Sequence, residues 1–404
     1  MIWMILLIAL VGEMMALPAE GLHFTNARIL RNGHLVPGEL LIKEGRIVKD
    51  ADPDTAFTPV DLEGKILAPG FIDLQLNGGF GFDFSATPDA VSEVAKRLPK
   101  YGVTSFLPTI ITSSRESYHQ RSYPQASAIG AEPLGWHLEG PFINIEFSGM
   151  HPKDKITDPL VDSLSDVVDR YGSLDGIRMI TLAPERIQNL DVVTDLVKQG
   201  IVIAMGHTAA TEAQCRDCIN AGASMVTHLF NAMKGLHHRE PGVVGAVLSE
   251  RSIHYSLIMD GCHIADTTAR LAVAAHPEGL VLVTDSMQAM GLAEGRYSFG
   301  EEDVLVADGR VVLEGQATLA GSTQTMDAAV RCLVAATGCD LAYALESASL
   351  RPAEVIGVAH RKGKLEIGYD ADLVVLDDAL QVVACYVKGI KANEGNVAPG
   401  ITRR

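Results

Sequence analysis

A chain of 404 residues with 47% hydrophobic and 21% charged side chains has the make-up of a globular enzyme, with room for one large domain and a satellite or for two domains. A formal charge of −17 argues against nucleic acid as a partner, since phosphate neutralisation needs a basic face; a phosphorylated ligand would need a locally basic pocket. The six cysteines do not form the dense framework of a small secreted domain, and the CxxC of Cys215 and Cys218 lies within TEAQCRDCINAG, which reads as a helix.

Residues 1–21, MIWMILLIALVGEMMALPAEG, open with an apolar run too short to span a bilayer comfortably. No Lys or Arg precedes it and Glu13 follows closely, so it fits a signal peptide poorly. A weak export signal, an apolar tail packed on a partner and a start codon placed too early all stay open. The fold is expected to begin near Leu22. There, LHFTNARILRNGHLVPGELLIKEGRIVKDA shows short alternating runs split by Asn-Gly and Glu-Gly, a β-meander.

Eight apolar strand-like runs then follow: ILAPGFIDLQLN, VTSFLPTII, GWHLEGPF, IRMITLAPE, IVIAMGHT, SMVTHLFNAM, IHYSLIMDGCH and LVLVTDSM. Helical patterns such as VDSLSDVVDRYG, NLDVVTDLVKQG and DTTARLAVAAH separate most of them. Continuous apolar strands alternating with amphipathic helices imply a parallel sheet covered on both faces, and eight repeats predict an α/β fold of the (β/α)8 TIM-barrel type over residues 69–355. A Gly-rich β insertion (residues 295–316) and then LAGSTQTMDAAVRCLVAATG, a loop and helix, follow the eighth strand. KGKLEIGYDADLVVLDDALQVVACYVKGIKA returns to the character of the first meander. Residues 22–68 and 356–392 are therefore expected to build one small β-sandwich from both chain termini.

Polar residues cluster at the C-terminal strand ends, the face that carries the active site in a barrel. Gln75 and Asn77 end strand one, Glu139 strand three, His207 strand five, His228 strand six and Asp285 strand eight; His263 follows strand seven. One carboxylate and two imidazoles form a standard ligand set for catalytic zinc, with the fourth position left to water. Asp285 is a candidate proton carrier for amide hydrolysis, although an Asp there also suits a helix N-cap. His151 and His263 lie on predicted loops at the same face, suited to polarising a carbonyl or holding an anion. Arg239 is a candidate phosphate ligand with a surface salt bridge as the plain alternative. Asn231 and Ala232 follow His228 closely enough to meet a ligand. Gln75 and Asn77, two apart, share a strand face. Amide oxygens are poor zinc ligands beside imidazole, so one tightly held metal is expected, with a second subsite weakened or vacant; alternatively the amides bond the substrate or cap the strand.

The motifs PGFIDLQLNGG, GWHLEGPF, GMHP, GHTAA, THLFNAM, HHREPG, DGCH, VTDSM and LAGS, in this order, closely resemble the N-acetylglucosamine-6-phosphate deacetylase family of the amidohydrolase superfamily. The resemblance runs from about residue 22 to about 392. It implies hydrolysis of the acetamide of N-acetylglucosamine 6-phosphate, releasing acetate. Where one branch of the family carries His-x-His and two metals, Gln75 and Asn77 resemble the Gln-x-Asn branch, which works with one divalent metal, usually Zn2+. The resemblance makes Glu139, His207 and His228 the ligands, Asp285 the general base and then acid, and His151 the group that stabilises the oxyanion. It implies that Asn231 and Ala232 meet phosphate or sugar. Arg239 and His263 would bind phosphate across a homodimer interface, and Leu319, Ala320, Gly321 and Ser322 would line the acetyl and sugar pocket. VTDSMQAMG departs from the family's more usual small or Pro-containing versions after the Asp, which touches substrate selection.

Two other readings compete: an amidohydrolase acting on a different N-acyl amino sugar or a cyclic amide, and a metal-free barrel serving as an oligomeric scaffold. Retention of Glu139, His207, His228 and Asp285 argues against the scaffold. A phosphorylated sugar points to the cytoplasm and away from a membrane, while the apolar N-terminal run leaves export open.

Overall fold

A computed structural model describes residues 21–49, 56–125, 130–156, 160–299, 302–307, 310–313 and 321–392. Residues 1–20, on which the export question turns, lie outside them. Among the described residues no helix is long and apolar enough to cross a membrane.

The eight apolar runs form eight parallel barrel strands: β1 (Phe71–Leu76), β2 (Val103–Ile110), β3 (Trp136–Glu139), β4 (Ile177–Leu182), β5 (Val202–Met205), β6 (Met225–Val226), β7 (His254–Ile258) and β8 (Leu280–Val283). Each pairs in parallel with the next. The ring closes where β1 meets the end of β8. Leu76 and Ser286 form a parallel bridge, the Asp285 amide donates to the Gln75 carbonyl at 2.9 Å, and the Asn77 amide to the Ser286 carbonyl at 2.8 Å. Every residue of β1 and β2 is buried, because one face meets the barrel interior and the other the helical shell; that two-sided burial makes the runs continuous rather than alternating.

The helices behave as their sequences dictate. Leu164–Tyr171 opens with a capping box of Ser163 and Asp166, and Glu212–Asn220 with one of Thr211 and Gln214, so orphan amides at each start are satisfied. Cys215 and Cys218 are buried on the second of these helices, and burial pushes both thiols up to about 12, leaving them as packing residues.

The two chain ends meet in one eight-stranded sheet. Its order is Ile390–Lys391, Val382–Val387, Leu373–Leu376, Ile66–Pro69, Gly21–Arg31, His34–Lys43 and Arg46–Val48, with Phe57–Asp61 also pairing Gly21–Arg31. The pleat of its two central strands divides two cores. Ile66, Ala68, Val374 and Leu376 point into the barrel's outer core, while Leu67, Leu373 and Val375 join Phe24, Ile29, Leu40, Ile42 and Tyr386 in the sheet's own. The Gly-rich insertion forms a separate three-stranded antiparallel sheet of Gly295–Phe299, Glu302–Ala307 and Arg310–Leu313.

An ion cluster pins the terminal sheet to the barrel. Lys362, 2% exposed, reaches Glu132 at 2.7 Å, Asp370 at 3.2 Å and Asp372, and Arg361 bonds Glu132 and Asp370. Glu132, Asp370 and Asp372 lie close enough together to hold a metal, but the Lys362 ammonium already serves all three.

Candidate active site and metal centre

Three strand ends bring Glu139, His207 and His228 together, all nearly fully buried. Glu139 Oε1 lies 3.1 Å from His207 Nε2 and 3.0 Å from His228 Nε2, and the two Nε2 atoms are 3.1 Å apart. His207 Nδ1 donates to the Phe147 carbonyl at 2.7 Å, so in the neutral ring Nε2 carries a lone pair. That lone pair faces a carboxylate oxygen and a second imidazole nitrogen. His228 Nδ1 has no partner among the described residues, so that ring is free to turn the lone pair of its Nε2 to the same point; a cation there would satisfy all three acceptors, and a carboxylate with two imidazoles suits a divalent ion of the zinc type. The donor set therefore fits a divalent metal. Burial works against charge on Glu139, but the imidazoles of His207, His228 and His151 around it outweigh burial and hold its carboxyl well below the usual range. Burial likewise opposes charge on His228, and the neighbouring Glu139 carboxylate outweighs it and raises the pKa of that ring.

The chain turns sharply at these residues. His207, His228 and Asp285 have φ of 49°, 32° and 48°, a left-handed conformation that side-chain-bearing residues rarely adopt. Each occurs where a strand ends and the chain turns across the barrel mouth.

Asp285 lies beside this centre. Burial, then the charge of Glu139, raise its pKa to about 6, against the lowering effects of His228 and of the Asn77 amide. Asn77 Nδ2 donates to Asp285 Oδ1 at 2.7 Å, and Gln75 Nε2 donates to Glu139 Oε1 at 3.0 Å. Both amides thus turn their nitrogens towards carboxylates at the site. His151 sits at its edge, with Nε2 3.8 Å from Glu139 Oε2 and its ring 4.4 Å from that of His207. Burial, then neighbouring His207, lower its pKa to about 3, so the ring is neutral at physiological pH.

The remaining candidates divide. Asn231 has a buried amide nitrogen with no partner, free to meet a ligand, and Ala232 adopts φ 49° beside it. His263 Nδ1 bonds Asp260 Oδ2 at 2.6 Å; burial opposes charge on the ring, but Asp260 outweighs it and raises the pKa. Arg239 is on an exposed loop, and its guanidinium has no ion-pair partner among the described residues. Gly321 and Ser322 run beside the active strand end: Ser322 bridges Ser286, and its carbonyl accepts from the Met287 amide at 2.9 Å. Leu319 and Ala320 lie outside the described residues. His137 shares the strand face of Glu139 but bonds Thr181 Oγ1 at 2.7 Å and the Leu74 carbonyl at 3.1 Å, deeper in the barrel.

Three residues absent from the sequence reading take part in the site's support. Asp73 accepts from the Gln75 amide at 3.2 Å, the Thr284 amide at 3.3 Å and Thr284 Oγ1 at 2.5 Å, bridging β1 to the end of β8. Glu185 accepts from Asn144 Nδ2 at 2.9 Å, the Ala209 amide at 2.6 Å and Thr208 Oγ1. Thr112, at the end of β2, meets His151. Of the three, only Asp73 carried a signal, as an acid on a buried strand two residues before Gln75.

A barrel of this topology, with a candidate ligand set at the ends of strands three, five and six and an acid after strand eight, defines a class. The chain belongs to the amidohydrolase family, whose sequence model matches residues 66–397. Among its relatives are deacetylases of amino-sugar phosphates. It is 45% identical over 399 residues to N-acetylglucosamine-6-phosphate deacetylase of Homo sapiens, covering 94% of this chain and 97% of the relative. It is 36% identical to N-acetylgalactosamine-6-phosphate deacetylase of Escherichia coli, covering 91% and 98%. Among solved structures it is similar to a mutant N-acetyl-D-glucosamine-6-phosphate deacetylase from Mycobacterium smegmatis in complex with N-acetyl-D-glucosamine-6-phosphate. That likeness has a TM-score of 0.80 at 32% identity over 92% of this chain and 99% of the other.

Proposed function

We propose that the chain hydrolyses the acetamide of N-acetyl-D-glucosamine 6-phosphate to D-glucosamine 6-phosphate and acetate. One observation carries the reading: a buried two-imidazole, one-carboxylate ligand set adjoins an Asp whose pKa is raised to about 6. The sequence relatives named above supply the substrate.

Glu139, His207 and His228 would hold one divalent cation, zinc by its ligand preference. Bound there, it supplies acidification of water and polarisation of the acyl oxygen. Asp285 accepts the proton of the attacking water through the carboxylate oxygen that Asn77 leaves free, and later hands it to the departing amine. A carboxyl with a pKa near 6 suits both transfers close to neutral pH. His151 donates to the carbonyl oxygen as negative charge develops on it. Asn231, with its unpartnered amide nitrogen, and Ala232 contact the sugar phosphate, with Gly321 and Ser322 and their neighbours Leu319 and Ala320 along the acetyl side. Arg239 and His263 bind phosphate. The exposure and free guanidinium of Arg239 suit a residue that reaches a second copy's site in a homodimer. We further assign residues 69–355 to the catalytic barrel, 22–68 and 356–392 to the terminal β domain, and the reaction to the cytoplasm. The geometry favours one metal over two, because the Gln75 and Asn77 nitrogens, rather than their oxygens, face the site's carboxylates.

The test measures metal content and acetate release on the same preparation, purified without added metal. About one zinc per chain with acetate release from the phosphorylated sugar is expected; metal without acetate would overturn the substrate. Equal kcat/KM for phosphorylated and unphosphorylated sugar would remove the phosphate roles of Arg239 and His263. The galactosamine relative supports a second reading, the C4 epimer as substrate, so both 6-phosphates belong in the assay.

A further inference from the structure

We infer that Thr112 is a positioning residue that locks His151 in the tautomer bearing its proton on Nε2, the nitrogen that faces the metal centre. The inference rests on the proposed role of His151 as a donor to the acyl oxygen.

Three features converge on His151 Nδ1. The Thr112 backbone amide donates to it at 3.3 Å, and Thr112 Oγ1 lies 2.7 Å away. A backbone amide is only ever a donor, so Nδ1 must be an acceptor. The hydroxyl, in contact with the same lone pair, must therefore donate as well. A proton on Nδ1 would point at the amide hydrogen, which disfavours both the other tautomer and the doubly protonated ring. The third feature is Gly140, next to the ligand Glu139, at φ 75°. A Cβ there would fall 2.4 Å from Thr112 Oγ1 and 3.4 Å from His151 Nδ1. The backbone is bare where the hydroxyl and the ring must meet. All three residues are buried, Thr112 at 1% exposure and His151 at 6%, so water does not compete for Nδ1.

The lock leaves Nε2 as the ring's sole donor and aims it at the centre, 3.8 Å from Glu139 Oε2. A ring free to exchange tautomers would present a lone pair to the acyl oxygen for part of the time and repel it. The amide is always present, but the shorter hydroxyl bond fixes the ring plane, so loss of the hydroxyl loosens orientation as well as tautomer.

The experiment uses the full-length, metal-loaded enzyme labelled with 15N-histidine, with His151→Gln identifying the His151 signals among the 13 histidines. The wild type is expected to show an unprotonated Nδ1 and a protonated Nε2. Thr112→Val should lower kcat by roughly 10-fold, the lower end of what outer supports of a metal-site residue contribute, with KM and metal content little changed. In that variant the His151 shifts should move towards tautomer averaging, and Thr112→Ser should restore both shifts and turnover. A wild-type His151 protonated on Nδ1 would overturn the inference, as would a folded Thr112→Val with unchanged kcat and shifts. Wild-type protein that leaves the sugar phosphate untouched would overturn the proposed function instead, and the nitrogen shifts would still decide the tautomer.

Discussion

At the scale of single residues the site turns on which atom donates. Asp285 is held by one amide at Oδ1, which leaves its other oxygen for the proton. Replacing Asp285 with Asn keeps the size and tolerates φ 48°, since Asn visits the left-handed region readily. Turnover of Asp285→Asn should fall by roughly 10²–10⁴-fold with metal content unchanged; steady-state rates and metal analysis on the same sample check this. Asn77 gives a pH prediction. Its donated bond favours the carboxylate form and so lowers the pKa of Asp285. The proposed general base works ionised, so kcat/KM should rise with pH as Asp285 loses its proton, and a bound cation should draw that limb below the value of about 6 that burial and Glu139 give the carboxyl. Asn77→Leu removes the donor, raises the pKa and should move that limb to higher pH. A limb that stays put or moves down would detach Asn77 from the base.

At the scale of elements, the question is what holds three separate strand ends in one register. Glu185, after β4, gathers the loop after β3 through Asn144 and the loop after β5 through Thr208 and Ala209. The Asn144 amide in turn donates to the His207 carbonyl at 2.9 Å. One carboxylate thereby supports the turn that carries His207, a proposed metal ligand. Glu185→Ala should weaken metal retention roughly 10- to 100-fold, measured by competition with a chelator, while the far-ultraviolet signal of the barrel is preserved. None of this was legible in the sequence. Glu139, His207, His228 and Asp285 stood out because each is a polar residue closing an apolar run. Glu185 follows its strand in APER, where a solvent-facing acid is equally common. Thr112 is one hydroxyl among several in TIITSS, and the direction of a hydrogen bond leaves no trace in composition. The reading of Gln75 and Asn77 stopped short for the same reason: residue type gave an amide, and only geometry shows which end of it faces the carboxylates.

At the scale of the whole molecule, a barrel packs against one sheet built from strands of both chain ends. Both were legible as elements, because strands buried on both faces are continuously apolar and those of the meander alternate. The joint between them was not, since Glu132 and Lys362 are far apart in sequence and each reads as an ordinary surface charge. Burial alone would raise the pKa of Glu132, but Lys362 and Arg361 outweigh it and bring it from 4.5 to about 2. The folded value lies below the unfolded one. The stabilisation is therefore present above about pH 4.5 and lost as pH falls from there towards 2. At about 1.4 kcal/mol per unit it amounts to about 3 kcal/mol at most. Glu132→Gln should be less stable than wild type in urea at pH 7, and the gap should close as the pH approaches 2. A gap independent of pH would mean that shape, not charge, makes the joint.

The left-handed backbone at His207, His228 and Asp285 carries a consequence for how such a protein changes under selection. Each position costs on the order of 1 kcal/mol or more relative to a residue at ease there, and glycine would relieve all three. A library selected for heat resistance alone should therefore collect glycine at 207, 228 and 285, and asparagine at 285, while its activity disappears. Selection for turnover at the same temperature should hold these positions and find its gains elsewhere. Comparing the two libraries would mark, position by position, where this chain keeps a side chain for use against the preference of its own backbone.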